Sequence, residues 1–301
     1  MILIALASAA PPNPLIREDA SNHLIEGWKR FGDDDFAGAR QSARLALEIP
    51  GAHDQEAGYL MGRAWQLEGF SHDALLLYRA ALADQPHGAF TDQLEFHIAE
   101  TLHDEGQSRE ALKWLRQAKK GRELTLSEAA MFDLNHAMFV LGKGRLKRGT
   151  NGLLATLEDT DHDLATWHQA KARTELVTLW LDIADELGTG SPERLERRAV
   201  LLDGARKQLE LTIPLDHAAF TLSQILRIGQ SYERLGDDVV TVHGSLASLP
   251  DDERKKVESV WVKATRFYDI GLRHAARTAN DHEVETFEVA HSMVVAKVDA
   301  L

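Results

Sequence analysis

Residues 55–86 read QEAGYLMGRAWQLEGFSHDALLLYRAALADQP, and this stretch decides the fold. Its first half puts Met61, Gly62 and Trp65 on one helical face and reaches a turn at Gly69. Its second half puts Ala74, Tyr78 and Ala81 on one face and closes at Pro86, which cannot continue a helix. Residues 92–118 repeat the layout, with Ile98, Ala99 and Leu102, a turn at Gly106, then Ala111, Leu115 and Ala118. Gly69 to Gly106 and Ala74 to Ala111 are both offsets of 37 residues. Two antiparallel helices in a short hairpin approach closely only where small side chains meet at the crossing and a large one fills the gap beside them.

Working outward, the spacing elsewhere is also helical. Apolar residues recur three and four apart with little strand-like alternation, and Pro50, Pro86, Pro192, Pro214 and Pro250 fall where a helical pattern stops or starts. Ser191-Pro192-Glu193 predicts a helix start, and Asp216, Asp251 and Asp281 are expected as caps. The expected fold class is all-α.

The 55–86 unit resembles the tetratricopeptide repeat family, whose unit of about 34 residues is a helix–turn–helix. Gly62, Trp65, Gly69, Ala74, Tyr78, Ala81 and Pro86 stand at that family's signature positions, and 92–118 matches without the closing proline. Phe36, Ala39, Ala43, Ala46 and Pro50 supply a good second helix, preceded by Leu24, Ile25, Trp28 and Phe31 if the turn is lengthened. Ile228, Gly229, Tyr232 and Gly236 make a clear first helix, whose partner at Ala264, Tyr268 and Leu272 comes only after a helix extension and a loop. Residues 127–158 and 163–212 show alternating helices without the signature. The resemblance implies an α-α superhelix over 20–301, in units of about 20–50, 55–86, 92–120, 127–158, 163–212 and 217–278. Residues 281–301, with Val284, Phe287, Val294, Val298 and Leu301 on one stripe, are the expected cap.

Composition narrows the chemistry. Among 301 residues there is no cysteine, which excludes disulfides, thiolate nucleophiles, cysteine-ligated metals and a lipid-attachment cysteine. A net charge of −13 argues against nucleic acid as a partner of the whole surface, and no apolar run is long enough to span a membrane. Met1–Ala10, MILIALASAA, ends in the small-x-small pattern that a bacterial signal peptidase accepts, although no Lys or Arg precedes it. Cleavage there would place the protein in the periplasm or outside the cell; otherwise it is cytoplasmic.

There is no nucleophile elbow, no dinucleotide fingerprint and no phosphate loop, so no catalytic residue and no cofactor is expected. Three surfaces remain. The resemblance implies a concave groove lined by first helices, which assigns Tyr59, Arg63 and Gln66, then Phe96, Glu100 and His103, then Gln230 and Glu233 to a peptide or protein partner. The lysine, asparagine and arginine clamp that some relatives use for a terminal carboxylate is missing. Second, residues 109–148 hold ten basic side chains against four acids, among them Arg116, Lys119, Lys120, Arg122, Lys143, Arg145, Lys147 and Arg148. This surface suits an acidic protein, a polyanion or an anionic membrane. Third, Glu100 with His103 and Glu288 with His291 have the Glu-x-x-His spacing of di-metal helical bundles, although about one such pair is expected by chance. The leading expectation is a non-enzymatic interaction or scaffold protein.

Overall fold

A computed structural model describes residues 14–49, 53–159, 164–188, 191–215, 217–277 and 281–301. The segment Met1–Ala10, Pro50 and Asp216 lie outside the described residues. Among the described residues the regular structure is entirely helical. The helices are α1 (Pro14–Gly32), α2 (Phe36–Leu47), α3 (Asp54–Leu67), α4 (Ser71–Asp84), α5 (Thr91–Asp104), α6 (Ser108–Lys119), α7 (Leu126–Gly142), α8 (Leu146–Glu158), α9 (Thr166–Leu187), α10 (Pro192–Thr212), α11 (Ala218–Val242), α12 (Asp251–Arg277) and α13 (Asp281–Asp299). Ser191 caps α10 through its side chain, as its spacing predicts. Asp251 is not a cap: it opens α12 with Asp252 and Glu253, three acids at the positive end of the helix dipole.

The chain divides into two compact units, Met1–Gly152 and Leu153–Leu301. In the first, successive helices pair as antiparallel hairpins and each hairpin packs on the next, so that α1 touches α3 and α5 touches α7. In the second, α9 pairs with α10 and α11 with α12, α13 packs on α12, and α11 touches both α9 and α13.

Four turns of the first unit share one device. Gly69 N–H bonds to Gln66 O and Phe70 N–H to Trp65 O; Gly106 and Gln107 do the same to His103 and Leu102, and Gly144 and Arg145 to Leu141 and Val140. Asp34 and Asp35 repeat it on Phe31 and Arg30. This is the Schellman ending, in which the residue after the helix turns left-handed and satisfies the last carbonyls. The hydrophobic contact that accompanies it is present as Phe70 edge-on to Trp65, 4.9 Å between centroids. Gly69, Gly106 and Gly144 adopt φ of +86°, +75° and +82°, whereas Asp34 holds φ +60° with a side chain. Asp34→Gly is therefore expected to stabilise the protein by about 0.5–1 kcal/mol, read as a higher urea midpoint at unchanged slope.

The crossings obey the small-against-large rule. A Cβ on Gly62 would lie 2.3 Å from Tyr78 Cε1, and one on Gly229 would lie 2.4 Å from Tyr268 Cε1. Each tyrosine is fully buried and its hydroxyl donates four residues beyond the glycine, Tyr78 to Gln66 Oε1 at 2.8 Å and Tyr268 to Glu233 Oε2 at 3.1 Å. Gln55, 2% exposed, staples the loop into α5: its amide donates to Gln85 O at 2.8 Å and its Oε1 accepts from Phe90 N–H at 2.8 Å.

The two units differ after their second glycine. Gly69 ends α3, but Gly236 lies within α11, and Trp261 fills the space beside it, its indole nitrogen 2.3 Å from where a Cβ would stand. Helix α11 runs six residues further, and α12 begins only at Asp251, so the helix extension and late partner read from the sequence are present.

Candidate functional site

The first helices of the first unit, α1, α3 and α5, are joined side to side by polar and aromatic contacts. Trp28 Nε1–H donates to Glu56 Oε1 at 2.8 Å, and the Tyr59 ring lies 5.9 Å from Trp28, 5.3 Å from Phe90 and 5.6 Å from His97. Arg63 donates to Gln66 Oε1 at 2.8 Å, and its Nη1 lies 3.2 Å from His97 Nδ1. The same ring nitrogen is 2.7 Å from Glu100 Oε2. One nitrogen cannot donate to the carboxylate and accept from the guanidinium together, so the His97 tautomer selects its partner. The shorter, charge-assisted contact favours donation to Glu100. Burial pushes the Tyr59 phenol above its ordinary pKa, against the pull of Arg63, so it is a neutral hydrogen-bonding group at neutral pH.

Tyr59, Arg63 and Gln66 are half-buried and reach the surface together. Phe96 and Glu100 do not: they are 5% and 1% exposed, and Phe96 packs on Phe132 at 5.2 Å, which corrects the open-face assignment. His103 points to the turn end, with Nδ1 3.1 Å from Ser108 Oγ and its ring 4.8 Å from Phe139. Trp28, Glu56 and His97 belong to the connected face and are not among the groove residues assigned from the repeat register. His97 lies 34 residues after Arg63, three short of the 37-residue offset between the two units, so the repeat register points to Glu100 and not to His97.

In the second unit Gln230 is exposed, while Glu233 is engaged by the terminal helix. Lys297 of α13 donates to Glu233 Oε1 at 2.7 Å and to Asp237 Oδ1 and Oδ2 at 2.9 and 2.7 Å. Burial lowers the Lys297 pKa, but the two carboxylates outweigh it and hold the ammonium above its ordinary value. Helix α13 buries Phe287 and Val294 and leaves Val289 and Met293 exposed.

The basic side chains of 109–148 differ in exposure and pairing. Arg116, Lys119, Lys120, Lys143, Arg145, Lys147 and Arg148 are exposed. Arg122 is half-buried and already paired, 3.4 Å from Asp92 and 3.1 Å from Glu128. Burial lowers the His136 pKa, and the positive charges of Arg148, Lys119 and Arg116 lower it further against Asp133; Lys119 itself lies 3.4 Å from Asp133. Lys143 and Arg109 flank a cavity of about 400 Å³ between two turns.

No group of three or more His, Asp or Glu side chains arranged to hold a metal ion occurs among the described residues. His291 lies 3.1 Å from Asp269, and Glu100 and His103 belong to the other unit. No described helix is long and apolar enough to cross a membrane.

No protein-family model and no curated protein matches the chain. Among solved structures, it is similar to a monomeric mutant of IFIT1 with Gppp-AAAA, at TM-score 0.51 and 14% identity, over 91% of this chain and 71% of that one. A TPR repeats protein from Bacteroides fragilis aligns at TM-score 0.32 and 12% identity, over 93% of this chain and 99% of that one. The yeast Sti1 TPR2AB-domain in complex with pHSP90 aligns at TM-score 0.36 and 10% identity, over 93% and 99%. Identities this low speak to fold alone. With the signature residues at their crossings and hairpins packed side by side in each unit, the chain has an all-α, tetratricopeptide-like fold.

Proposed function

We propose that the chain is a non-enzymatic scaffold that binds a peptide segment or a partner protein on the face formed by α1, α3 and α5. The observation that carries this reading is the half-buried Tyr59, Arg63 and Gln66 group, held before any partner arrives by the ring contacts of Tyr59 and by the bonds of Arg63 and Tyr78 to Gln66. Side chains ordered in advance lose little entropy on binding, and aromatic and arginine side chains dominate the energy of interfaces. Tyr59 supplies area, Arg63 a charged fork and Gln66 an amide.

The test is crosslinking pull-down followed by affinity measurement on the captured partner. Tyr59→Ala/Arg63→Ala is expected to weaken binding at least tenfold with the helical circular dichroism unchanged. Phe96 is unsuitable as a probe, because its removal would hollow the core. A second reading, docking through the basic surface, is favoured by the exposure of Arg116, Lys120, Lys143, Arg145, Lys147 and Arg148 in one stretch of the chain. In that case Lys119→Glu/Lys120→Glu abolishes capture, binding falls steeply with salt, and the Tyr59/Arg63 variant behaves as wild type. Export through Met1–Ala10 remains part of the proposal, and the N-terminal sequence of the mature protein tests it.

A further inference from the structure

The departure of the second unit from the repeat creates a cavity. Because α11 continues past Gly236, it adds Val239 and Val242 to the stripe begun by Leu235, beyond the normal end of the hairpin. Leu195 and Ala199 of α10 and Val260 of α12 complete an apolar floor. The cavity measures about 530 Å³. That is within the roughly 300–1,000 Å³ of small-molecule sites, which combine apolar walls with a few polar groups that fix orientation. Those groups come in both signs: Lys255 and Lys256 of α12, opposed by Glu196 of α10 and Glu253 of α12. A fifth charge, Lys263, is held 3.2 Å from Asp203 Oδ1 and does not upset the balance. Lys256 rests on Glu253 at 2.7 Å in an exposed pair, the kind that exchanges partners readily.

An apolar floor with a charge-balanced rim matches a ligand with an apolar chain and a head carrying both charges. We propose that this cavity binds a single-chain amphiphile with a zwitterionic head group. The chain lies on Leu195, Ala199, Leu235, Val239 and Val260, the anionic oxygens of the head meet Lys255 and Lys256, and its cationic centre meets Glu196 and Glu253. Neither the groove reading nor the basic surface is needed for it.

The test is calorimetric titration of the full chain with dodecylphosphocholine below its micellar concentration, alongside decylphosphocholine, phosphocholine, dodecanoate and dodecyltrimethylammonium. One molecule is expected per chain, and loss of two methylenes is expected to weaken binding about fifteenfold. Phosphocholine alone should not bind, and both singly charged amphiphiles should bind more weakly than the zwitterion. Ala199→Phe, which fills the cavity, should weaken binding at least tenfold. Val242→Gln at the exposed rim gives a milder loss and stands in if the larger side chain disturbs folding. Lys255→Glu/Lys256→Glu should move the preference to dodecyltrimethylammonium. The proposal is overturned if chain length has no effect, if many molecules bind with loss of helical signal, if dodecanoate binds as tightly as the zwitterion, or if filling the cavity changes nothing.

Discussion

Tyr78→Ala is expected to lower the stability of the first unit by about 3–5 kcal/mol, the usual cost of emptying a buried aromatic site. The ring is fully buried and rests against Gly62, where no side chain could intervene, and its hydroxyl satisfies Gln66. Gly62→Ala is expected to cost about 1–3 kcal/mol, because its new methyl would stand 2.3 Å from Tyr78 Cε1 in a well-packed crossing. The pair carries the sharper result. In Gly62→Ala/Tyr78→Ala the methyl occupies space that the ring has vacated, so the two losses should fall short of additivity by about 1–3 kcal/mol. Urea unfolding of the four proteins measures this, and strict additivity would mean that Gly62 and Tyr78 do not act as a unit.

Asp238→Ala is expected to cost about 3–5 kcal/mol, because it strands a buried charge. Arg198 is 4% exposed and its guanidinium is paired with Asp238, while its Nε has no hydrogen-bond partner. Arg198→Met should cost far less, since the thioether fills similar volume and the remaining carboxylate of Asp238, 22% exposed, can be hydrated. Thermal or urea unfolding of the two variants decides the matter: equal losses would show that the pair is worth its contact and nothing more.

The crossings were legible because a local rule sets them. A glycine on one helix of a hairpin facing a tyrosine on the other leaves few alternatives, so Gly62, Tyr78, Gly229 and Tyr268 could be read from the sequence at two different separations. The fourth turn was not read from the sequence, although Gly144 takes the same left-handed place there as Gly69 and Gly106 do in theirs. Burial was the harder quantity. Repeat register alone placed Phe96 and Glu100 on the open face, but the neighbouring α7 brings Phe132 against Phe96 and both residues are covered. Glu233 was hidden for a related reason: its partner Lys297 lies 64 residues away on the terminal helix. Charge clustering over 109–148 was visible in the sequence, whereas the pairing of Arg122 with Asp92 needs α6 to return along α5 and bring the chain after it back to the start of α5.

The shared glycine–tyrosine crossing has a consequence for the order in which the hairpins assemble. From Gly62 to Tyr78 the chain closes 16 positions, and from Gly229 to Tyr268 it closes 39. Loop-closure entropy grows as the logarithm of length, so the second closure costs about 0.8 kcal/mol more before the same contact rewards it. Nearest-neighbour contacts formed over short separations also give the faster folding rates. The 54–84 hairpin is thus suited to nucleation, and the lengthened one to late consolidation: the extra turns of α11 that shape a cavity in the finished protein also delay the moment at which that cavity exists.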